Sequence, residues 1–115
     1  MSVRVYVPAT LSLLRAWHAA GEVPADADRL LPDGDDEDHE YAALMGAADA
    51  SSALLDGPGR RVVVVGEIEA GDGSGPLPMR RVVAVHADVV DRQAGADPDE
   101  DLGWWATQEI PDLLG

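Results

Sequence analysis

The sequence predicts an α+β fold: a ferredoxin-like antiparallel sheet with helices on one face and a reduced second crossover helix. Valine-rich segments with strand periodicity begin the chain and recur after residue 60, and two segments with helical periodicity lie between them. A loop rich in Gly and Pro joins two of the valine-rich segments into a predicted hairpin. The resulting order matches a β-α-β-β-α-β plan, and the handedness of crossovers then places the helices together on one face.

The first strand is followed by a capped helix. Apolar and polar residues alternate through residues 3–7, which is typical of a half-buried strand, and the pattern ends at Pro8. Thr10 is the predicted N-cap of the next helix, in which Leu residues and Trp17 recur at helical spacing. Gly21 is the predicted C-terminal stop of that helix.

An acidic connection and a long helix come next. Residues 22–38 contain proline, and eight of the 22 Asp and Glu residues lie between Asp26 and Glu40. Few apolar residues there offset the roughly 1–2 kcal/mol of backbone entropy lost per ordered residue, so we expect a flexible acidic segment at about 23–38. One helical face from about 36 to 55, which predicts the longest helix, carries Tyr41, Leu44, Met45, Ala48, Ser52 and Leu55.

The second half of the chain is mainly strand. Residues 60–69 contain four consecutive valines, which suit a strand buried on both faces. A loop at 71–78 leads to a second valine-rich strand at 79–87. A polar, acidic linker at 91–101, with room for one short helical turn, precedes a final short strand at 102–107.

Composition and charge restrict the function classes. The chain has 115 residues, no Cys and a net charge of -14, which predicts one domain over 1–115 with neither a disulfide framework nor a Cys-ligated metal. The negative charge repels phosphate backbones and anionic bilayers, so we expect no binding to nucleic acid or membrane. Neither a membrane span nor a signal peptide is recognisable, which predicts a cytoplasmic location.

Three motifs come close to known sites without matching them. His39 begins half of a His-Glu-x-x-His zinc motif, but Ala43 stands where the second His must be. Alternating aspartates in 97–101 have the spacing of EF-hand ligands, yet position twelve is Gln108. The segment 71–75 is neither a nucleophile elbow nor a phosphate-binding loop. We therefore expect no metal and no cofactor.

Both ends of the chain resemble a known family. Residues 4–11 read RVYVPATL and residues 104–115 read WWATQEIPDLLG, and 40–44, 60–65 and 83–86 fit the same pattern. In these residues the chain resembles an uncharacterised family of small acidic actinobacterial proteins. The family runs longer after its first helix and before its final strand, so the resemblance implies a shortened second crossover here. It implies no catalytic residue, because no activity is established for the family.

The favoured function is a small cytoplasmic interaction or structural module that acts through its sheet face. With both helices on one face, valines of the central strands, Tyr6 and one Trp would leave an apolar patch on the other, and such patches usually mark interfaces. We expect a homodimer packed sheet to sheet, or a protein partner on the same surface, with Trp105 in the interface and Trp104 in the core. The C-terminal segment 110–114 is the alternative cover for this patch.

A small-molecule-binding protein or enzyme is the alternative function. Its cleft would lie near Tyr6, His86, Trp105 and Glu109. A cavity of about 300 Å³ or more lined by those residues would favour it. An acidic mimic of nucleic acid is a third hypothesis, which requires carboxylates in rows at phosphate-like spacing.

Overall fold

The structure is a computed structural model that describes residues 2–55, 57–69, 75–92, 96–97 and 100–115. Positions 71–74 of the predicted loop and positions 93–95 and 98–99 of the predicted linker, which include Asp99 of its aspartate run, lie outside these ranges. The described strands are β1 (Ser2–Ala9), β2 (Glu22–Val23), β3 (Val62–Glu69), β4 (Leu77–Pro78), β5 (Val82–Ala87) and β6 (Gly103–Ala106). The described helices are α1 (Leu11–Ala20), α2 (Glu37–Leu54) and α3 (Ile110–Leu114), with 3₁₀ turns at Met79–Arg81 and Thr107–Glu109.

Local signals in the sequence place α1 and α2 correctly. The Thr10 hydroxyl accepts a hydrogen bond from the Leu13 N–H at 3.1 Å, and Gly21 ends α1 with a φ of 82°, in the left-handed region that favours glycine. Asp36 caps α2 by accepting from the His39 N–H at 3.0 Å. The predicted caps of α1 and the predicted extent of α2 are confirmed.

The main sheet is antiparallel, in the order β1-β3-β5-β6. β1 pairs with β3 along its whole length, β3 and β5 form the predicted hairpin, and β6 pairs with β5. A ferredoxin-like sheet separates its first two long strands by a third and makes them parallel. Here the chain reverses through both α1 and α2 before β3, so β3 returns antiparallel and directly beside β1. The predicted ferredoxin-like strand order is therefore wrong. The four strands of the main sheet lie side by side in chain order, as an antiparallel meander.

One face of this sheet packs against α1 and α3. Val7, Val64 and Val85 form a row across it, and Leu14 of α1 and Ile110 of α3 belong to the same buried cluster. We call this the α1-side face. The C-terminal segment thus covers part of this face.

The opposite face packs against α2. Tyr6, Val63 and Val65 form a second cluster with Ala43 and Ala47 of α2. We call this the α2-side face. The α+β class and the antiparallel sheet are confirmed, but the prediction that the helices share one face is wrong. Four consecutive buried valines need cover on both faces, and α2 supplies the second cover.

A small ribbon of β2 and β4, which the sequence analysis missed, packs on the α1-side face. Leu77 of β4 lies so close to Gly66 that a Cβ atom at position 66 would be 2.6 Å from its Cδ2. The Met79 N–H donates to the Gly21 carbonyl at 2.9 Å. Residues 77–78 pair with β2, and Met79–Arg81 form a 3₁₀ turn. The strand predicted to begin at residue 79 therefore begins at Val82.

The acidic connection is attached to the edge of β1. Val23 is fully buried, and Leu30 exchanges two backbone hydrogen bonds with Tyr6, both of 2.9 Å. That residues 23–38 are flexible stays a prediction. The structure attaches this segment to the rest of the fold at Val23 and at Leu30. None of the helices in the described ranges combines the length and apolar character that crossing a membrane requires.

Candidate functional site

α2 covers mainly β1 and β3, which leaves the β5–β6 half of the α2-side face more open. Trp104 of β6 lies directly opposite His86 of β5, and Leu102 packs against the cluster on this face. Trp104 is 60% exposed and His86 is half-buried. We define the Trp104 surface as His86, Leu102 and Trp104 together with the outer edge of β6.

The two adjacent tryptophans face opposite sides of the sheet, as strand geometry requires. Trp105 pairs with Val85 and packs against the cluster on the α1-side face, whereas Trp104 extends from the other face. The prediction that Trp104 lies in the core is therefore wrong, and the placement of Trp105 in an interface stays a prediction. Because side chains alternate along a strand, the sequence requires the two tryptophans to face opposite sides of the sheet. Only the register of β6 on β5 determines which of them packs against the buried cluster.

Tyr6 and His86, two of the predicted site residues, lie on the same face and share a neighbour. The Arg4 guanidinium lies close enough to both side chains for its positive charge to lower the pKa of each. Burial raises the pKa of Tyr6, with a further contribution from the Glu40 carboxylate. Burial, followed by the Arg4 charge, lowers the pKa of His86. Tyr6 is therefore a neutral hydrogen-bonding group, and His86 is held towards its neutral form.

The other two predicted residues lie elsewhere. Trp105 is on the α1-side face, and the Glu109 carboxylate accepts a hydrogen bond from the Ala106 N–H at 2.9 Å, where it caps the turn after β6. Nearby, the Thr107 hydroxyl donates to the Val82 carbonyl at 2.6 Å. The four residues do not line one cleft, and their role in binding stays a prediction.

A groove of about 370 Å³ begins at Arg4, beside the start of β1. The Arg4 Nε lies 3.6 Å from the Glu67 Oε1, and Glu40 and Asp35 also line the groove. Apolar Leu31 and other residues of the acidic connection complete it. None of the four predicted site residues lines this groove.

Sequence reasoning missed Arg4 and Glu40 as neighbours of Tyr6, and Glu67 as the ion-pair partner of Arg4. The sequence could have indicated that Arg4 is a neighbour of Tyr6, because residues two positions apart in a strand lie on the same face of the sheet. The positions of Glu67 and Glu40 required the register of β3 on β1 and the placement of α2.

The described ranges contain no group of three or more His, Asp and Glu side chains that could hold a metal ion. Arg4, His86 and Trp104 can instead offer an ion pair, a hydrogen bond and an aromatic contact to a polar ligand or to another protein.

Residues 3–114 match the model of a family of unknown function, DUF6912. The chain belongs to DUF6912. This finding confirms the resemblance to an uncharacterised family. No curated protein and no solved structure is significantly similar to this DUF6912 chain.

Proposed function

We propose that this chain is a small interaction module that binds a protein partner through the Trp104 surface. The observation that supports the proposal best is the exposure of Trp104, which extends from an edge strand, whereas α2 packs mainly on β1 and β3. Tryptophan is enriched among the residues that dominate protein interfaces. Burial of the exposed Trp104 ring against a partner would remove apolar surface from water and so stabilise the complex.

The two edges of the sheet differ in a way that supports this surface. The outer edge of β1 is occupied at Tyr6 by its reciprocal hydrogen bonds with Leu30. Across the ranges that the structure describes, no strand pairs with the outer side of β6. An extended partner segment can add to an edge of that kind, with a side chain packed on Trp104.

Charge indicates the chemistry of the partner. Exposed Asp101 precedes β6, exposed Glu109 follows it, and the whole chain carries a net charge of -14. A partner segment with Lys or Arg on either side of an apolar residue is complementary to this arrangement. A cationic side chain can also stack on the Trp104 ring.

A second copy of the chain is the alternative occupant, and the homodimer stays a prediction. Its original basis was a sheet face without helices, and α2 covers part of that face. Two copies joined at β6 would also bring Asp101 and Glu109 of both chains together, and like charges oppose that contact. These two points favour a basic partner over a second copy.

Photo-cross-linking tests the proposal. A photoreactive phenylalanine analogue replaces Trp104 in one variant and Tyr41, which is 52% exposed on α2, in a matched control. We expect a cross-linked product in native cells from position 104 that position 41 does not give. With the identified partner purified, Trp104→Ala is expected to weaken binding about 30-fold, as for an interface hot spot, and Tyr41→Ala to leave it unchanged.

Two outcomes would overturn the proposal. Equal or absent cross-linking at both positions would show that the Trp104 surface is not an interface. A product composed of two copies of the chain would replace the basic partner with the homodimer.

A small-molecule-binding protein is the second candidate function. It is supported by the convergence of Arg4, Tyr6 and His86 and by the groove beside Arg4. A fragment screen by NMR tests it, because a genuine ligand would shift the Arg4 and His86 resonances together. A screen without such hits would leave the interaction module as the better proposal.

A further inference from the structure

A second groove, of about 270 Å³, lies between α1, the C-terminal end of α2 and the acidic connection. We call it the α1 groove. Its apolar lining includes Leu13 and Trp17 of α1, Pro24, and Leu54 of α2, of which Leu54 is 51% exposed. These side chains come from three separate parts of the chain and leave an open apolar surface between them. The α1 groove shares no residue with the Trp104 surface.

Its charged lining is purely acidic. Asp26 and Asp28 border the apolar residues, and both are exposed. The residues that line the groove include no Lys, Arg or His. The two carboxylates attract a cationic ligand and repel an anionic one, so this site discriminates between ligands by the sign of their charge.

The size of the groove indicates a small ligand. Ligand pockets begin at about 300 Å³, so 270 Å³ suits one short alkyl chain or one ring. A protein partner needs an interface of about 800 Å² on each side. The neighbouring acidic connection offers little apolar surface to extend the contact that far.

We propose that the α1 groove binds a small organic cation with an apolar body, such as an alkylammonium or arylalkylammonium ion. The apolar part packs between Leu13, Trp17 and Leu54, and the ammonium group lies between Asp26 and Asp28. This site is independent of the proposed protein partner.

A series of ligands with the same alkyl chain tests the proposal. Hexylamine, 1-hexanol and hexanoate are titrated at pH 7 into the full chain, and binding is followed by the indole N–H resonance of Trp17. We expect hexylamine to bind about three- to tenfold more tightly than hexanol, as for one or two exposed ion pairs, and hexanoate to bind more weakly than hexanol.

Two double variants separate a specific site from general charge attraction. Asp26→Asn/Asp28→Asn should abolish the preference for hexylamine over hexanol. Asp33→Asn/Asp35→Asn removes the same charge from the same connection but outside the groove, and should keep the preference. All four side chains are exposed, so both variants should fold normally.

Three results would overturn the proposal: equal affinities for hexylamine and hexanol, an equal loss of preference in both double variants, or no shift of the Trp17 indole with any ligand. The last result would also exclude simple apolar binding in the α1 groove.

Discussion

Arg61 and Asp88 form a buried ion pair that joins the start of β3 to the end of β5. The Arg61 Nε lies 3.0 Å from Oδ2 of Asp88, and its Nη2 lies 2.8 Å from Oδ1. The Arg61 backbone N–H also donates to Oδ2, at 2.8 Å. Arg61 is 1% exposed and Asp88 5% exposed, and hydrogen bonding to the Asp88 carboxylate raises the pKa of Arg61.

Asp88→Asn is expected to destabilise the fold by about 3–5 kcal/mol, because it removes the carboxylate charge that pairs with the buried Arg61 guanidinium. Urea unfolding measures the loss. Asp91→Asn is the matched control, since Asp91 is largely exposed and lies 3.7 Å from the Arg60 Nε. The control should cost less than about 1 kcal/mol, and a similar cost at both positions would contradict the structural role of the pair.

Ser51→Ala is expected to cost about 1–3 kcal/mol. The buried Ser51 hydroxyl donates to the Ala9 carbonyl at 2.6 Å and accepts from the Val62 N–H at 2.9 Å, so its removal leaves both backbone groups without this partner. Ser52→Ala makes the same change at an exposed position of the same helix and should stay within about 0.5 kcal/mol of wild type. Equal unfolding midpoints for the two variants would refute this expectation.

Stability should rise with pH across the range between the folded-state pKa of His86 and about 6.5, its ordinary value. Burial and the Arg4 charge lower the pKa of His86 in the folded chain. Within that range the unfolded chain therefore binds a proton that the folded chain does not, and the unfolded state gains stability as the pH falls. Below the folded-state pKa both states are protonated, and the His86 contribution stops changing.

The variant His86→Gln should flatten this pH dependence. Thermal unfolding between pH 5 and 7.5 measures it, with His18→Gln on α1 as the control. If His86→Gln keeps the full wild-type slope, His86 is not the group responsible.

Hydrogen exchange should divide the acidic connection. The sequence predicts fast exchange throughout residues 23–38, whereas the Leu30 N–H is hydrogen bonded to the Tyr6 carbonyl. We expect the Leu30 amide to exchange more slowly than those of residues 33–36. Uniformly slow exchange over 23–38 would contradict the predicted flexibility, and fast exchange at Leu30 would contradict its attachment to β1.

Local structure was largely predictable because its signals lie close together in the chain. The cap at Thr10, the stop at Gly21 and the valine-rich hairpin of β3 and β5 were all predicted and found. The ribbon of β2 and β4 was missed because its two-residue strands show no periodicity. The ion pair of Arg61 and Asp88 was missed for another reason: 27 positions separate its partners.

The candidate site was predictable in part. Tyr6 and His86 were predicted together and do share the α2-side face. Trp105 and Glu109 were assigned to the same cleft, but the register of β6 turns Trp105 to the other face and Glu109 caps a turn. A shift of one residue moves every side chain of a strand to the opposite face, so register had to be known before these residues could be placed.

By itself, the sequence determined the α+β class, the main helices and strands, and the requirement that Val62–Val65 be covered on both faces. Periodicity within one element suffices for these, since it depends on residues a few positions apart. The tertiary structure alone decided that α2 covers the second face and that β1 and β6 form the two edges of the sheet. It also decided that Trp104 is the exposed member of the adjacent tryptophan pair. Both helices have a face that can pack on either side of the sheet. The choice between the two sides therefore depends on contacts between residues far apart in the chain.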